Sequence, residues 1–273
     1  MAPIEKPELG NNAVLVLGMH RSGTSATAGC LNRLGVYLGD NRDTASPYNP
    51  KGFYEHQAVT ILHDWLLRVL GSSWDNPGPL PRGWENLRRV APFRRRLRAI
   101  LLRDFAETPL WAVKDPRMCR LLPLWLPLLA EMKVAVKALL VVRSPAEVAA
   151  SIAARDAMPE KRVLALWLAH ALSAERQTRG MDRAVILYED LLADWRGELA
   201  RVQDALDVTW PGMGTAAETE VDDFLEPELR HQKNARLHFA GPERRLCEAS
   251  HAAFVAWRRY GADPAFALDR MTA

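Results

Sequence analysis

The sharpest chemical signal in the sequence is a short loop of small and polar residues between an apolar strand and a helix. It runs from Gly18 to Ser25, reads Gly-Met-His-Arg-Ser-Gly-Thr-Ser, and directly follows the apolar run Val14–Leu17. Glycines let backbone N–H groups turn toward an anion, and a helix beginning at Thr24 adds N–H donors and a favourable dipole. The pattern therefore predicts a phosphate-binding loop.

This loop has the glycine spacing of nucleoside-triphosphatase loops but lacks their lysine. Thr24 follows Gly23 where that motif has lysine, and Arg21 is the only cation of the loop. We expect an anion to be bound by Arg21, Ser22, Gly23, Thr24 and Ser25. The alternative is an ordinary strand-to-helix turn that tolerates an arginine.

A second candidate anion site follows another apolar run. Arg143 comes directly after Val134–Val142, at the carboxyl end of a predicted strand, where open parallel sheets bind ligands. Ser144 is predicted as the N-cap of the next helix, with Glu147 closing a capping box. Ser151 lies two turns into that helix and would share a ligand with Arg143. A solvated arginine and a serine bonded to its own helix are the alternatives.

The elements that must position these residues alternate along the chain, which predicts a parallel sheet with helices on both faces. The apolar runs predicted as strands are Ala13–Leu17, Leu110–Val113, Val134–Val142 and Ala184–Tyr188. The predicted helices are Thr24–Leu34, Gln57–Leu70, Val90–Phe105, Leu121–Met132, Ala146–Arg155, Lys161–Arg179, Gly197–Ala205 and a stretch around Arg244–Tyr260. Gly71–Trp84 is predicted as a long loop.

In this order and spacing, the segments resemble the sulfotransferase superfamily, whose donor is 3′-phosphoadenosine 5′-phosphosulfate (PAPS). Arg21–Ser25 resembles its 5′-phosphosulfate loop, and Arg143 with Ser151 resembles its 3′-phosphate motif. The segment Ala-Val-Ile-Leu-Tyr-Glu-Asp-Leu resembles a third block, in which the tyrosine, here Tyr188, lies near the adenine. The resemblance runs from about Val14 to Asp207. It implies an α/β, P-loop nucleotide-kinase-like, doubly wound parallel sheet.

Two further blocks resemble a bacterial branch that is itself similar to tyrosylprotein and carbohydrate sulfotransferases. They are Gly52-Phe53-Tyr54-Glu55 and Lys114-Asp115-Pro116-Arg117. The cytosolic small-molecule branch has a catalytic histidine in the second block, and this chain has none there. The resemblance therefore implies that Glu55 is the catalytic base, with His56 or a helix-start role for Glu55 as alternatives. Lys114 is expected to reach the sulfuryl oxygens or the loop.

Length and composition limit the remaining possibilities. The 273 residues are 48% apolar and 25% charged, with a net charge of +3, which suits one globular domain and an anionic small molecule rather than nucleic acid. Cys30, Cys119 and Cys247 are too scattered for a disulfide framework or a metal knuckle. Met1–Asn12 lacks the apolar core of a signal peptide, and the apolar stretch Leu121–Ala130 is too short to span a bilayer. We expect a cytoplasmic protein without stable membrane insertion.

Other clusters receive structural interpretations. Four tryptophans at apolar helical positions are predicted to be core: Trp65, Trp125, Trp167 and Trp257. Arg94–Arg96 with Arg98 is predicted to be a solvated helix face. Arg230, His231 and Lys233 form a basic cluster that would either cover the 3′-phosphate or remain solvated. Residues 208–273 are expected to form a helical cap on a single domain, residues 1–273.

Function is therefore predicted as transfer of a sulfuryl group from PAPS to a hydroxyl, leaving 3′,5′-adenosine bisphosphate (PAP). The segment Gly71–Trp84 resembles bacterial proteins associated with surface polysaccharides, which favours a carbohydrate acceptor over tyrosine or a natural product. No metal is expected to be required. The rival predictions are a small-molecule kinase that uses ATP and Mg²⁺ and a non-catalytic nucleotide-binding module. The oligomeric state stays open.

Overall fold

One parallel sheet of four strands organises a computed structural model of the chain, which describes residues 12–40, 49–106, 108–226 and 230–272. The strands are β1 (Asn12–Leu17), β2 (Leu110–Lys114), β3 (Ala135–Val142) and β4 (Arg183–Leu187), in the spatial order β2-β1-β3-β4. In the centre, Leu15 lies between Val113 of β2 and Ala138 of β3. All four carboxyl ends therefore meet at one edge of the sheet.

The strands are nearly continuous apolar runs because both faces of the sheet are covered. Along β1, Leu15 and Leu17 point into one hydrophobic core, whereas Val14 and Val16 point into the other. This alternation is the period of two that a strand imposes. The two cores give the sheet a helical layer on each side.

Helices fill both layers. In chain order they are α1 (Thr24–Arg33), α2 (Gln57–Val69), α3 (Ala91–Asp104), α4 (Met118–Glu131), α5 (Pro145–Asp156), α6 (Glu160–Gln177), α7 (Tyr188–Ala193), α8 (Trp195–Leu206), α9 (Ala217–Phe224), α10 (Pro242–Tyr260) and α11 (Ala265–Thr272). Helices α2 to α6, α10 and α11 contribute side chains to the core that contains Leu15, and α1 and α7 to α9 contribute to the core that contains Val14.

The predicted fold class is confirmed, and the four predicted strands match the observed ones to within one residue at each end. Tyr188 was predicted to end the fourth strand, but it begins α7. Helices α7, α9 and α11 were not predicted. Each has at most eight residues, too few for a clear helical period in the sequence.

The carboxyl-terminal segment is divided between the two layers. Helix α9 packs against α1, whereas α10 packs against α6 and β4 on the opposite face. The single domain and the helical cap over 208–273 stay predictions, and Met1–Asn11 lies outside the described residues. None of the described helices combines the length and the apolar character needed to cross a membrane.

The prediction for the tryptophans is wrong at one position. Trp125 and Trp167 are buried and Trp257 is partly buried, but Trp65 is exposed. It lies on the outer side of α2, away from the stripe that buries Leu62 and Leu66. Residue type alone therefore does not place a tryptophan in the core. Which side of α2 faces the core decides, and Trp65 lies on the other side.

Candidate functional site

The loop between β1 and α1 is shaped by two close approaches of its backbone. A Cβ atom on Gly23 would lie 2.2 Å from the Tyr188 ring, and Gly23 has a φ of 91°. A Cβ on Gly18 would lie 2.5 Å from the carbonyl oxygen of Val141. Arg21 also adopts the left-handed region, with a φ of 67°, a conformation that is sparsely populated by residues other than glycine and clusters at ligand sites. Glycine is therefore required at both ends of the turn.

The two anion sites predicted from sequence form one site. Arg21 donates from Nε to Ser151 Oγ at 2.9 Å, and Arg143 donates from Nη1 to the carbonyl oxygen of Arg21 at 3.1 Å. The guanidinium carbon of Arg143 lies 4.9 Å from the centroid of the Tyr188 ring. The structure thus brings together the side chains that follow β1, β3 and β4.

Glu147 holds Arg143 and does not close a capping box. Ser144 is the N-cap of α5, as predicted, but its side chain makes no capping hydrogen bond. Glu147 Oε2 instead accepts from Arg143 Nε at 2.8 Å and from Arg230 Nε at 3.0 Å. Burial alone would raise the pKa of Glu147, but hydrogen bonds from Arg230 and Arg143 hold this pKa below its usual value. The predicted capping box is wrong because two arginines attract the carboxylate more strongly than a backbone N–H.

The three residues of the predicted basic cluster near the C-terminus have different surroundings. Arg230 binds Glu147, His231 lines the cavity described below, and Lys233 is exposed. Arg230 therefore ties the segment after residue 229 to the helix that carries Ser151.

A third arginine, which sequence reasoning missed, adds to the positive charge. Arg155 follows Ser151 by four residues on α5 and therefore shares its face of the helix; that spacing was the available signal. Burial, followed by the positive charges of Arg155 and Arg143, lowers the pKa of Arg21. The site thus concentrates positive charge that a bound anion would neutralise.

A cavity of about 360 Å³ lies against the loop, which is within the range of about 300–1,000 Å³ common for small-molecule sites. The predicted residues that line it are Arg21, Gly23, Thr24, Ser25, Glu55, Lys114, Arg143, Ser151 and Tyr188. Ser22 does not line this cavity; it is buried behind the loop. Lining residues that were not predicted include His20, Asn49, Phe53, Arg155, Phe224 and Gln232.

Lys114 connects the loop to Glu55. Its Nζ lies 2.5 Å from Glu55 Oε1, 3.1 Å from Ser25 Oγ and 3.1 Å from the carbonyl oxygen of Phe53. Lys114 is the last residue of β2 and is buried. The ammonium group therefore fixes the position of the Glu55 carboxylate relative to the start of α1.

Behind Glu55, a buried chain of polar groups holds Arg117. Arg117 Nη1 lies 3.6 Å from Glu55 Oε2 and 3.0 Å from Asp115 Oδ1, and Asp115 Oδ2 accepts from His63 Nδ1 at 2.8 Å. His63 Nδ1 carries the proton, because Trp125 Nε1 donates to His63 Nε2 at 2.8 Å. Burial alone would raise the pKa of Asp115, but Arg117 and His63 hold it well below its usual value. Asp115 is therefore an anion that orients Arg117.

Glu55 and His56, the two candidate bases, point in different directions. Burial raises the pKa of Glu55 in spite of the opposing charge of Lys114, and Glu55 is one of the residues that line the cavity. The His56 ring instead packs 5.4 Å from the Phe105 ring, and its Nε2 lies 3.1 Å from Asp104 Oδ2. The geometry favours Glu55.

Neither a metal cluster nor a disulfide is present in the described part of the chain. No group of three or more His, Cys, Asp or Glu side chains there is placed to hold a metal ion, and all three cysteines are buried and free. Cys119 Sγ accepts from the backbone N–H of Gly18 at 3.1 Å. Burial raises the pKa of Cys119 to about 12, so the group behind the loop is a neutral thiol.

Comparison with known proteins gives structural relatives only. No protein-family model matches the chain, and no curated protein matches its sequence. The sulfotransferase domain from the Synechococcus PCC 7002 olefin synthase is 19% identical with a TM-score of 0.51, over 91% of this chain and 98% of that one. The sulfotransferase domain from the curacin biosynthetic pathway is 13% identical with a TM-score of 0.51, over 90% and 98%. The chain therefore has the fold of these sulfotransferase domains, and the resemblance predicted from its motifs is confirmed at the level of fold.

Replacing Gly23 with alanine should destabilise the fold, mainly because the added methyl group would clash with the Tyr188 ring. Gly23→Ala places a methyl group both in the left-handed region and against the Tyr188 ring. Gly71→Ala is the matched control, because Gly71 has a φ of 74° with no atom within 4 Å of a built Cβ. The control should lower the free energy of unfolding by about 1–2 kcal/mol, and Gly23→Ala by about 1–3 kcal/mol more. Equal losses in urea titrations would show that the loop does not rest on Tyr188.

Proposed function

We propose that this chain, which has the fold of a sulfotransferase domain, transfers a sulfuryl group from PAPS to a hydroxyl group of an acceptor. One observation carries the proposal: Arg21, Arg143 and Ser151 meet at one cavity, and Glu55, a buried carboxylic acid residue, lines the same cavity. The two arginines and the serine suit a donor with separate anionic groups, and the carboxylate of Glu55 can accept a proton from the second substrate.

The residues of the loop and of α5 fit the donor. Arg143 and Ser151 would hold the 3′-phosphate, and Tyr188 would lie near the adenine. Arg21, with the hydroxyls of Thr24 and Ser25 and the N-terminus of α1, would hold the 5′-phosphosulfate. When bound, PAPS supplies a sulfuryl group whose bond to the 5′-phosphate breaks as the bond to the acceptor oxygen forms. The surplus of positive charge around Arg21 supports this fit, because it neutralises the charge that develops on a leaving phosphate.

Glu55 would take the proton from the acceptor hydroxyl. Its raised pKa makes it a stronger base than an exposed glutamate, while Lys114 and Arg117 keep the carboxylate in place. Lys114 also contacts Ser25 at the start of α1. The base is thus held at a fixed position relative to the donor loop, and such positioning is the main contribution of a protein to transfers of this type.

For the acceptor we retain a carbohydrate hydroxyl as the proposed class. The cavity that Glu55 lines is also lined by the aromatic residues Phe53 and Phe224 and by the polar residues Asn49 and Glu226. Aromatic faces beside polar groups suit a ligand with both an apolar face and several hydroxyls. A natural product with one hydroxyl on an apolar body is the alternative that this cavity also accommodates.

Donor identity is tested by thermal shift, with PAP measured in EDTA and ATP measured both in EDTA and with Mg²⁺. PAP should raise the melting temperature strongly without metal, because arginines and backbone N–H groups make the proposed contacts. If the chain is a sulfotransferase, ATP should raise its melting temperature little, with or without Mg²⁺. A larger shift with ATP–Mg²⁺ than with PAP would favour the kinase, and a PAP shift without turnover of PAPS would favour a nucleotide-binding module.

Arg143→Ala should weaken PAP binding far more than binding of adenosine 5′-phosphate, which lacks the 3′-phosphate. The lost charge-assisted contact corresponds to about 1.5–3 kcal/mol. Ser151→Ala should act in the same direction but by about 0.5–1.5 kcal/mol, because its hydroxyl is neutral. Isothermal titration with both nucleotides measures the difference. The same loss for both nucleotides would mean that Arg143 does not bind the 3′-phosphate.

Glu55→Gln should lower the single-turnover rate by roughly 10²–10⁴ and leave PAP affinity nearly unchanged. The wild-type rate should rise with pH through the raised pKa of Glu55, because only the carboxylate accepts a proton, and the variant should lose this rise. His56→Asn is the control and should keep both the rate and its pH dependence.

A helix-start role for Glu55 gives a different result. It predicts near-normal turnover in the folded fraction with a stability loss of about 0.5–2 kcal/mol. A melting curve and a rate on the same preparation separate the two roles.

A further inference from the structure

Three large apolar side chains form an exposed stripe on α2. Ile61 is 50% exposed, Trp65 60% and Val69 39%. Their spacing of four residues places them on one side of the helix. Single exposed apolar residues are common on soluble proteins, but a contiguous patch marks an interaction surface.

Helix α3 lies beside α2 and runs antiparallel to it. The two helices pack against each other, and Asp104 at the end of α3 lies 3.1 Å from His56, which directly precedes α2. We call the exposed side chains of this helix pair the α2–α3 face; they include Ile61, Trp65, Arg68 and Val69 of α2 and the exposed arginines of α3.

The first two turns of α3 and the segment directly before it carry a concentration of positive charge. Residues 82–98 contain seven arginines and one glutamate, whereas the rest of the chain has 29 basic and 32 acidic residues. Arg94 pairs with Glu131 of α4. The other six arginines are exposed: Arg82, Arg88, Arg89, Arg95, Arg96 and Arg98. The small net charge of the chain thus conceals a strongly basic segment beside the apolar stripe.

We propose that the α2–α3 face docks onto an anionic lipid membrane. An apolar stripe that includes tryptophan, flanked by arginines, is the arrangement of peripheral segments that insert shallowly between lipid headgroups. Guanidinium groups bind headgroup phosphates, and the apolar side chains leave water. A nucleic acid would match the arginines but leave the stripe in water, and a neutral apolar partner would leave the arginines unmatched. An anionic bilayer accounts for both features.

The test is co-sedimentation of the whole chain with vesicles of phosphatidylcholine alone and of phosphatidylcholine mixed with phosphatidylglycerol. The chain should bind the mixed vesicles, bind the neutral ones weakly, and lose affinity as salt rises. Each arginine near an anionic surface contributes about fivefold to binding, so the triple variant Arg95→Ala/Arg96→Ala/Arg98→Ala should bind roughly 100-fold more weakly. Trp65→Ser should weaken binding about tenfold, the order expected for burying a large apolar side chain.

Matched controls lie elsewhere on the surface. Phe266→Ser removes an aromatic side chain that is 74% exposed on α11, and Arg245→Ala/Arg259→Ala/Arg270→Ala removes the same charge from exposed positions of α10 and α11. Both controls should bind the mixed vesicles like the unmodified chain. All the substituted side chains are exposed, so melting temperatures should change little.

Three results would overturn the proposal. The first is an absence of binding to the mixed vesicles at low salt. The second is equal loss of binding in the controls and in the α2–α3 variants. The third is binding of duplex DNA without binding of the mixed vesicles, which would assign the basic segment to nucleic acid.

Discussion

The hydrogen bond from Arg21 to Ser151 joins the loop after β1 to the helix after β3, and the candidate site depends on it. These residues are 130 positions apart in the chain, yet they meet because β1 and β3 are adjacent parallel strands whose carboxyl ends share one edge. Tyr188 follows β4 at the same edge and closes against Gly23. The sheet order thus converts three separate segments into one positively charged site.

A group of buried ion pairs holds Glu55 at the cavity. Lys114 at the end of β2 binds Glu55, and Asp115 next to it orients Arg117 toward the same carboxylate. Two cations face Glu55, but burial still raises its pKa. Lys114 and Arg117 hold the carboxylate in place and lower its pKa, whereas burial raises the pKa by more. The position of Glu55 and its basicity therefore have different structural causes.

Local rules of sequence predicted the strands, the loop and the helix that begins after Ser144, because each is determined by neighbouring residues. These rules failed where contacts with residues far away in the sequence determine the role or position of a side chain. Glu147 matches a capping box locally, but Arg230, 83 residues away, shares its carboxylate with Arg143. Trp65 has the residue type of a core position, but only the packing of α2 on the sheet shows that it faces outward. For the proposed base, the resemblance already implied Glu55, and the structure adds that Glu55 lines the cavity whereas the His56 ring packs against Phe105.

The most direct test of the central claim is mass spectrometry of a reaction that contains the chain, PAPS, EDTA and a panel of hydroxyl acceptors. We expect PAP to form together with an equal amount of an acceptor that has gained one sulfuryl group, and both products to be lost in Glu55→Gln. Intact PAPS in the presence of every acceptor, with ATP consumed and an acceptor phosphorylated once Mg²⁺ is added, would contradict the proposed sulfuryl transfer.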